Sequence, residues 1–437
     1  MSSTPKHRAA NAAPAHRPLD RWQGASEASP LCSETQTAPP PESNPLPMKH
    51  NILIRGGHVI DPSQNLSAVR DVAVSGDRIQ NIDETIDPAD AEYTVDARGL
   101  YVVPGLIDLH AHVYPHSPFG LEPDPLCAAG GVTTILDTGT AGSYQFDAFR
   151  RNYIDTAVPE VLGLVNLSCI GLLCGQLGEL LDRRYADPEG VVRTIREHPD
   201  VAVGVKIRAG KHLIGEGRQG WDNFHDAVRA ARESGTWLMI HIGECPMPVP
   251  EMFEHLQPGD CITHCFKGGS TRILDENDRL YDAVREAAAR GIIFDVGHGA
   301  GSFEWETVEA AVEHGFEPTT ISTDLHVKNI RGPVYDMPTT MSKFLKLGFS
   351  LEKVIELSTL RPAQALGRDH EIGTLKAGTR ADIALLERRE GRFQFTDSYG
   401  HHRTGTELLS AALTIRNGNI LPGGGSQHAR RLAEETA

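Results

Sequence analysis

From residue 101 onward the chain repeats one unit: a short apolar run, a turn, then an amphipathic segment. The apolar runs lie at 102–109, 132–137, 161–167, 201–207, 237–242, 261–265, 292–296 and 320–323. They are short, nearly continuous in apolar character and bounded by turn residues, which is how strands buried on both faces read in sequence. The intervening segments 222–233, 278–290 and 304–314 carry apolar residues at helical spacing. In the first of these, Phe224, Ala227, Val228 and Ala231 share one face. Eight such alternations within about 250 residues predict an α/β fold, a (β/α)8 TIM barrel. A doubly wound open sheet is the main alternative, but it usually has fewer strands.

The flanks have a different grain. Segments 51–60, 71–82 and 93–101 alternate apolar and polar residues around turn signals such as Gly56-Gly57 and Gly76-Asp77. Strand patterns return at 381–386, 392–396 and 412–420. We expect these two flanks to form one small β-sandwich domain, from 48–104 and 369–422, around a barrel at 105–368. Residues 1–47 hold nine of the 28 prolines, including Pro39-Pro40-Pro41, and show no apolar period. Such a segment cannot bury enough surface to offset its ordering entropy and is expected to be disordered. Met48 directly precedes the first strand pattern, so translation is expected to begin there. Residues 423–437 are expected to fray.

Charge and cysteine content narrow the function classes. A formal charge of −16 with no basic stripe argues against nucleic acid as a partner. No apolar run reaches the length of about 18 residues that a membrane span needs. Seven scattered cysteines fit reduced thiols in a cytoplasmic protein better than a disulfide framework.

In a barrel of this kind, active sites form at the C-terminal ends of the strands. His110 and His112 close the first apolar run, and their alternate spacing on an extended strand aims both imidazoles to one side. Lys206 ends the fourth run, His241 the fifth, His264 the sixth and Asp324 the eighth. Five strands thus deliver six metal-capable residues to one rim. Read alone, Lys206 would be a lysine with a buried stem and a surface ammonium. His298, between Gly297 and Gly299, is a candidate to bind substrate or an oxyanion, or else part of a structural turn. His326, two residues after Asp324, either touches substrate or orients a ligand. Cys261-x3-Cys265 lacks the spacing of a zinc knuckle, and the glycines of 297–301 do not match a dinucleotide fingerprint.

The stretch Pro104-Gly-Leu-Ile-Asp-Leu-His-Ala-His112, with Ile372-Gly-Thr-Leu-Lys-Ala-Gly-Thr-Arg-Ala-Asp382, resembles the amidohydrolase superfamily. The likeness is to the branch with two metals bridged by a carboxylated lysine, and it spans residues 49 to about 420. Within it, Thr263-His-Cys-Phe-Lys-Gly268, Phe294-Asp-Val-Gly-His-Gly299, Ser322-Thr-Asp-Leu-His326 and Met337-Pro-Thr-Thr-Met-Ser-Lys-Phe344 resemble the amidohydrolase/deacetylase group. The resemblance implies that His110, His112 and Asp324 hold one divalent ion and His241 with His264 the other. Lys206 would bridge them as N6-carboxylysine, a carbamate formed from CO2. Zinc is the expected metal, although manganese, cobalt and nickel suit the same ligands.

A hydroxide shared by the metals would attack an acyl amide or ester, with Asp324 as general base or, alternatively, as ligand only. The expected partner is a small acylated molecule, and related proteins often form homo-oligomers. The nearest rival is a cyclic amidase of the dihydroorotase or hydantoinase type. In dihydroorotases an arginine normally follows the His-x-His pair by two positions, where this chain has Tyr114. A scaffold that kept the barrel and lost catalysis is the remaining alternative. Specificity is expected to lie in the loops 139–144, 168–177 and 328–338.

Overall fold

The computed structural model describes residues 50–173 and 178–421. The expectations for 1–47 and 423–437 fall outside these residues, as do 174–177 of the loop after the third barrel strand.

The expected flanking domain is one hydrogen-bonded sheet built from both ends of the described chain. Its strands are β1 (His50–Asp61), β2 (Leu66–Ser75), β3 (Arg78–Asp83), β4 (Ala91–Asp96) and β5 (Tyr101–Pro104). The barrel strands β6 to β12 follow in sequence, and the sheet resumes with β13 (Ile383–Thr396), β14 (His402–Arg416) and β15 (Asn419–Leu421). Strand order is β15-β14-β13-β5-β1-β2-β3, with β4 also paired to β1. Ile52, Ile54, Val72, Val74, Val102, Ile383, Leu385 and Ile415 make a small core of its own. β1 and β2 pair antiparallel, and both faces of the pair are buried: Ile52, Ile54, Val72 and Val74 face this core, while Leu53 and Ala73 pack with Ile86 on the other side.

The barrel consists of β6 (Leu106–Ala111), β7 (Val132–Gly142), β8 (Glu160–Asn166), β9 (Ala202–Arg208), β10 (Trp237–His241), β11 (Cys261–Thr263) and β12 (Ile293–Asp295). These seven pair in parallel, each with its sequence neighbour. Residues 320–325 take the eighth position without forming a regular strand. Thr320 bridges Asp295 on one side and Leu325 bridges Ala111 on the other. The Asp324 amide donates to the His110 carbonyl (2.6 Å), and the His112 amide donates to the Leu325 carbonyl (2.9 Å). The barrel therefore closes through paired backbone groups on both sides of this segment.

Sequence read the run 102–109 as one strand, but the chain splits it. Up to Pro104 it pairs with β13 in the flanking sheet, and from Leu106 it pairs with β7 in the barrel. The hinge is Gly105, whose amide donates to the Asp382 carbonyl (2.8 Å). Apolar patterning cannot register such a change of sheet, since both halves are buried. Arg380 clamps the two layers nearby, reaching Glu160 of β8 (2.7 Å) and Asp382 (2.7 Å) while itself almost buried.

Candidate functional site

His110 and His112 stand at the end of β6 and are buried, as periodicity required. Their Nε2 atoms lie 3.4 and 3.1 Å from Asp324 Oδ1. What turns those nitrogens inward is a pair of relays behind them. Thr263 Oγ1 donates to Asp295 Oδ2 (2.7 Å), so its lone pair is left to accept from His110 Nδ1 (2.7 Å). Asp295 is completely buried and also accepts from Thr320 and Ser322. On the other side, His112 Nδ1 sits 2.7 Å from Thr140 Oγ1, and Thr140 is in turn hydrogen-bonded to buried Asp137. Each imidazole thus carries its proton on Nδ1 and offers a bare Nε2 toward Asp324. A hydroxyl-to-carboxylate relay of this kind is the way proteins fix the tautomer of a metal-binding histidine.

A second pair faces the first. His264 Nδ1 donates to the Gly297 carbonyl (2.6 Å), leaving Nε2 unprotonated and 2.6 Å from His241 Nδ1. The His110 and His264 ring centroids are 4.9 Å apart. Burial pushes His112 and His264 down to about 3 and drives His110 and His241 well below the usual imidazole range. All four rings are therefore held neutral, the state that ligates a cation. Close packing comes at a backbone cost: His264 and Asp324 adopt left-handed φ values of 69° and 50°. Strain of this sort persists where the surroundings over-determine it, and it collects at functional sites. Gly297, at φ 44°, answers the same crowding, because a Cβ there would come 2.8 Å from His264 Nδ1 and 3.0 Å from His110 Nδ1.

Lys206 lies two residues before the end of β9, within the same ring of strands, and is completely buried. Among the described residues its amine has no ion-pair partner. Its hydrogen bond runs to the thioether of Met239 (3.2 Å), a weak acceptor. Burial lowers this amine to about 8. The surface lysine that the residue would be in isolation is thereby excluded. Gly139, at φ 78°, makes room for the stem, since a Cβ there would lie 2.6 Å from Lys206 Cβ.

The donor set therefore suits divalent ions. Two neutral imidazoles and a carboxylate meet at one point, two more imidazoles converge beside it, and a buried amine lowered to about 8 lies on the same rim. Among the described residues, the ligand atoms of His110, His112 and Asp324 all fall within 4.8 Å of one another.

Above these groups opens a cleft of about 390 Å³, lined among others by His112, Phe119, Arg208, His241, Asp324 and His326. His326 is nine-tenths buried or more, with Nδ1 accepting from the Lys328 amide (3.1 Å) and its ring 6.2 Å from that of His112. His298 is placed elsewhere. It is fully buried behind the rim, stacked on Phe303 and 2.6 Å from Lys343 Nζ, and it does not line the cleft. Tyr114 also turns inward, packing on Phe149 (4.8 Å) and Tyr153 (5.8 Å). Sequence reasoning passed over Arg208, which lies two residues beyond Lys206 on the same strand. The period of two along β9 was the signal that could have found it. Cys261 and Cys265 are both buried free thiols, with Cys265 in the barrel core. Among the described residues no helix is long and apolar enough to cross a membrane.

Comparison with known proteins agrees with this architecture. The sequence profile of the Amidohydrolase family matches residues 127–420. A deacetylase of Agrobacterium fabrum is 35% identical over 334 residues, covering 76% of this chain and 81% of the relative. A dihydroorotase of Geotalea daltonii is 28% identical, over 77% and 89% of the two chains. The solved structure of an adenine deaminase superposes with a TM-score of 0.79 at 32% identity, covering 85% of this chain and 99% of the other. That of a dihydroorotase gives 0.78 at 30% identity, over 86% and 98%. Through its barrel, its flanking sheet and these matches, the chain belongs to the amidohydrolase family.

Proposed function

We propose that this protein is a metal-dependent hydrolase that cleaves an acyl amide or ester bond, removing an acetyl-like group from a small molecule. The observation that carries the reading is the convergence of His110, His112, Asp324, His241, His264 and Lys206 beneath one cleft. The similarity to deacetylases at 32–35% identity, against 28% for the Geotalea daltonii dihydroorotase and 30% for the solved dihydroorotase, supports this over the cyclic-amide reading. Tyr114 supports it too, because a side chain packed on Phe149 cannot grip a ring substrate from the cleft.

His110, His112 and Asp324 would hold one divalent ion, proposed to be zinc, and His241 with His264 a second. Lys206, carboxylated by CO2, would join the two. A neutral amine is the form that adds CO2, and burial leaves Lys206 partly neutral near physiological pH. When bound, such ions acidify water toward neutral pH and polarise a carbonyl.

The chain's own contribution is positional and proton-carrying. Asp324 faces both imidazoles with Oδ1 and lines the cleft, so it can accept a proton from the attacking water and return it to the leaving nitrogen or oxygen. The Asp324 carbonyl accepts from Asn329 Nδ2 (2.7 Å), which steadies that carboxylate's backbone. The two threonine relays keep the imidazoles from turning.

The test is a screen of the zinc-loaded protein on N-acetyl amino acids, acetylated hydroxy acids and neutral acetylated amines, beside dihydroorotate and hydantoins. Turnover of acetyl compounds above the cyclic amides is expected. Asp324→Asn should lower that turnover sharply while most of the metal is retained. Turnover of the cyclic amides alone would overturn the reading.

A further inference from the structure

A buried group that the proposed chemistry leaves unused is the amine of Lys343, on the helix Met337–Lys346. Lysine is almost never fully buried unless it is paired. Lys343 is only 1% exposed, and no carboxylate pairs with it among the described residues. Its Nζ instead donates to the carbonyls of Pro333 (3.0 Å) and Thr396 (2.7 Å) and lies 2.6 Å from His298 Nε2. Thr396 ends β13 of the flanking sheet, Pro333 belongs to the loop after Asp324, and His298 stands in the turn after β12. One amine thus ties together three segments that are remote in sequence.

Two of these segments bear directly on the metal-ligand cluster. In the turn, the contacts come from the glycines on either side of His298. The Gly297 carbonyl accepts from His264 Nδ1 (2.6 Å). The Gly299 amide donates to the Thr323 carbonyl (2.9 Å), and its backbone lies so close to Asp324 that a Cβ would fall 2.4 Å from Oδ2. In the loop, Asn329 Nδ2 donates to the Asp324 carbonyl (2.7 Å). The Gly332 amide, next to Pro333, donates in turn to the Asn329 carbonyl (2.9 Å).

The His298 ring is stacked on Phe303, with centroids 4.5 Å apart and 12° between planes. It has little room to turn, so a pull on its imidazole passes to the glycine backbone on both sides. The part of the turn that lines the cleft, residues 300–302, is anchored separately. Ser398 Oγ donates to the Gly299 carbonyl (2.9 Å), and Tyr399 Oη donates to the Gly301 carbonyl (3.2 Å). Lys343 therefore governs the end of the turn that faces the ligands.

We propose that Lys343 is a positioning residue for the hydrolysis. Through His298 and Pro333 it sets the Asp324 carboxylate and the His264 ring from behind the rim, without touching substrate. This inference rests on the reading of Asp324 as the proton carrier and adds what holds that carboxylate in place.

The test measures kcat and KM separately on the zinc-loaded protein, with the acetyl compound that the wild type turns over fastest. Visible absorption of the cobalt-loaded protein reports ligand geometry independently of turnover. Lys343→Met keeps the stem and removes the amine. It should lower kcat about 10- to 100-fold, the scale of misplacing a reacting group by about 1 Å. KM should stay within about threefold, because proton transfer belongs to the transition state and the cleft-lining part of the turn keeps its anchors. The cobalt absorption should change as well. His298→Leu should reproduce the loss, and His298→Gln, which keeps an acceptor for Nζ, should recover most of it. Combining Lys343→Met with His298→Leu should cost no more than the worse single change, since the two residues act in series. Wild-type kcat and cobalt absorption in Lys343→Met, or losses that multiply in the double variant, would overturn the proposal. If Lys343→Met does not fold, the two His298 variants decide, and equal losses in both would overturn it. A wild type inert toward every acetyl compound would overturn the acyl-hydrolase reading instead, while unchanged cobalt absorption in the variants would still overturn the positioning role.

Discussion

Thr263→Val removes one hydroxyl from the relay behind His110 and leaves the shape of the site nearly unchanged. In the native arrangement His110 Nδ1 donates to Thr263 Oγ1, and the next acceptor, Asp295 Oδ2, stands 3.6 Å away. Both groups are almost wholly buried, so water cannot take the place of the hydroxyl. Without metal the imidazole has an escape, because it can move its proton to Nε2 and donate toward Asp324 Oδ1 at 3.4 Å. With metal it has none, since Nε2 must carry the lone pair and the Nδ1 proton is orphaned. An unsatisfied buried donor costs about 1–3 kcal/mol, and here that cost falls on the metal-loaded state alone. Affinity for zinc should therefore drop about 10- to 100-fold, in line with losses seen when a histidine's outer partner is removed. Chelator competition on the purified variant measures it, with thermal unfolding of the metal-free protein as control. The donor lost to Asp295 lowers the stability of both forms alike and cancels from the affinity, so zinc affinity within twofold of wild type would refute the reasoning.

The clamp between barrel and flanking sheet gives a stability prediction. Arg380→Met leaves Glu160 with Arg368 alone and Asp382 with Arg416 alone, and losing its hydrogen bonds to these charged groups should destabilise by about 1.5–3 kcal/mol in urea unfolding. Lys343 gives a pH prediction. It is buried against His298 and two carbonyls, and burial lowers it to about 7 from its ordinary lysine value. Between about pH 7 and the unfolded lysine's value, the unfolded chain binds the extra proton, so this residue's contribution to stability rises with pH. The stability gap between wild type and Lys343→Met should widen by up to about 1.4 kcal/mol per pH unit between pH 7 and 9, and parallel profiles would reject it.

Much of this was readable in the chain. Strands buried on both faces leave apolar runs with no ambiguity of facing, and a barrel sends the residue after each run to one rim. His110, Lys206, His241, His264 and Asp324 were legible for that reason. What sequence could not supply was contact across the barrel. Thr140 and Thr263 look like ordinary strand threonines until Asp137 and Asp295 are seen behind them. His298 was singled out for its flanking glycines, yet Gly297 serves the packing of His110 and His264 and Gly299 the approach of Asp324, and the imidazole itself turns toward Lys343. Arg208 was missed because charge at a strand end reads as solvent exposure unless its strand face is followed from Lys206.

The segment 320–325 seals the barrel and also carries Asp324. Its partner strand begins more than two hundred residues earlier, and Thr323 reaches back to Asp108 across a separation of 215 residues. Contacts that distant in sequence form late. A chain emerging from the ribosome has its four histidines and Lys206 in place long before the carboxylate that completes them arrives. The cluster of His110, His112 and Asp324 is thus complete only once the first and last staves of the barrel have met.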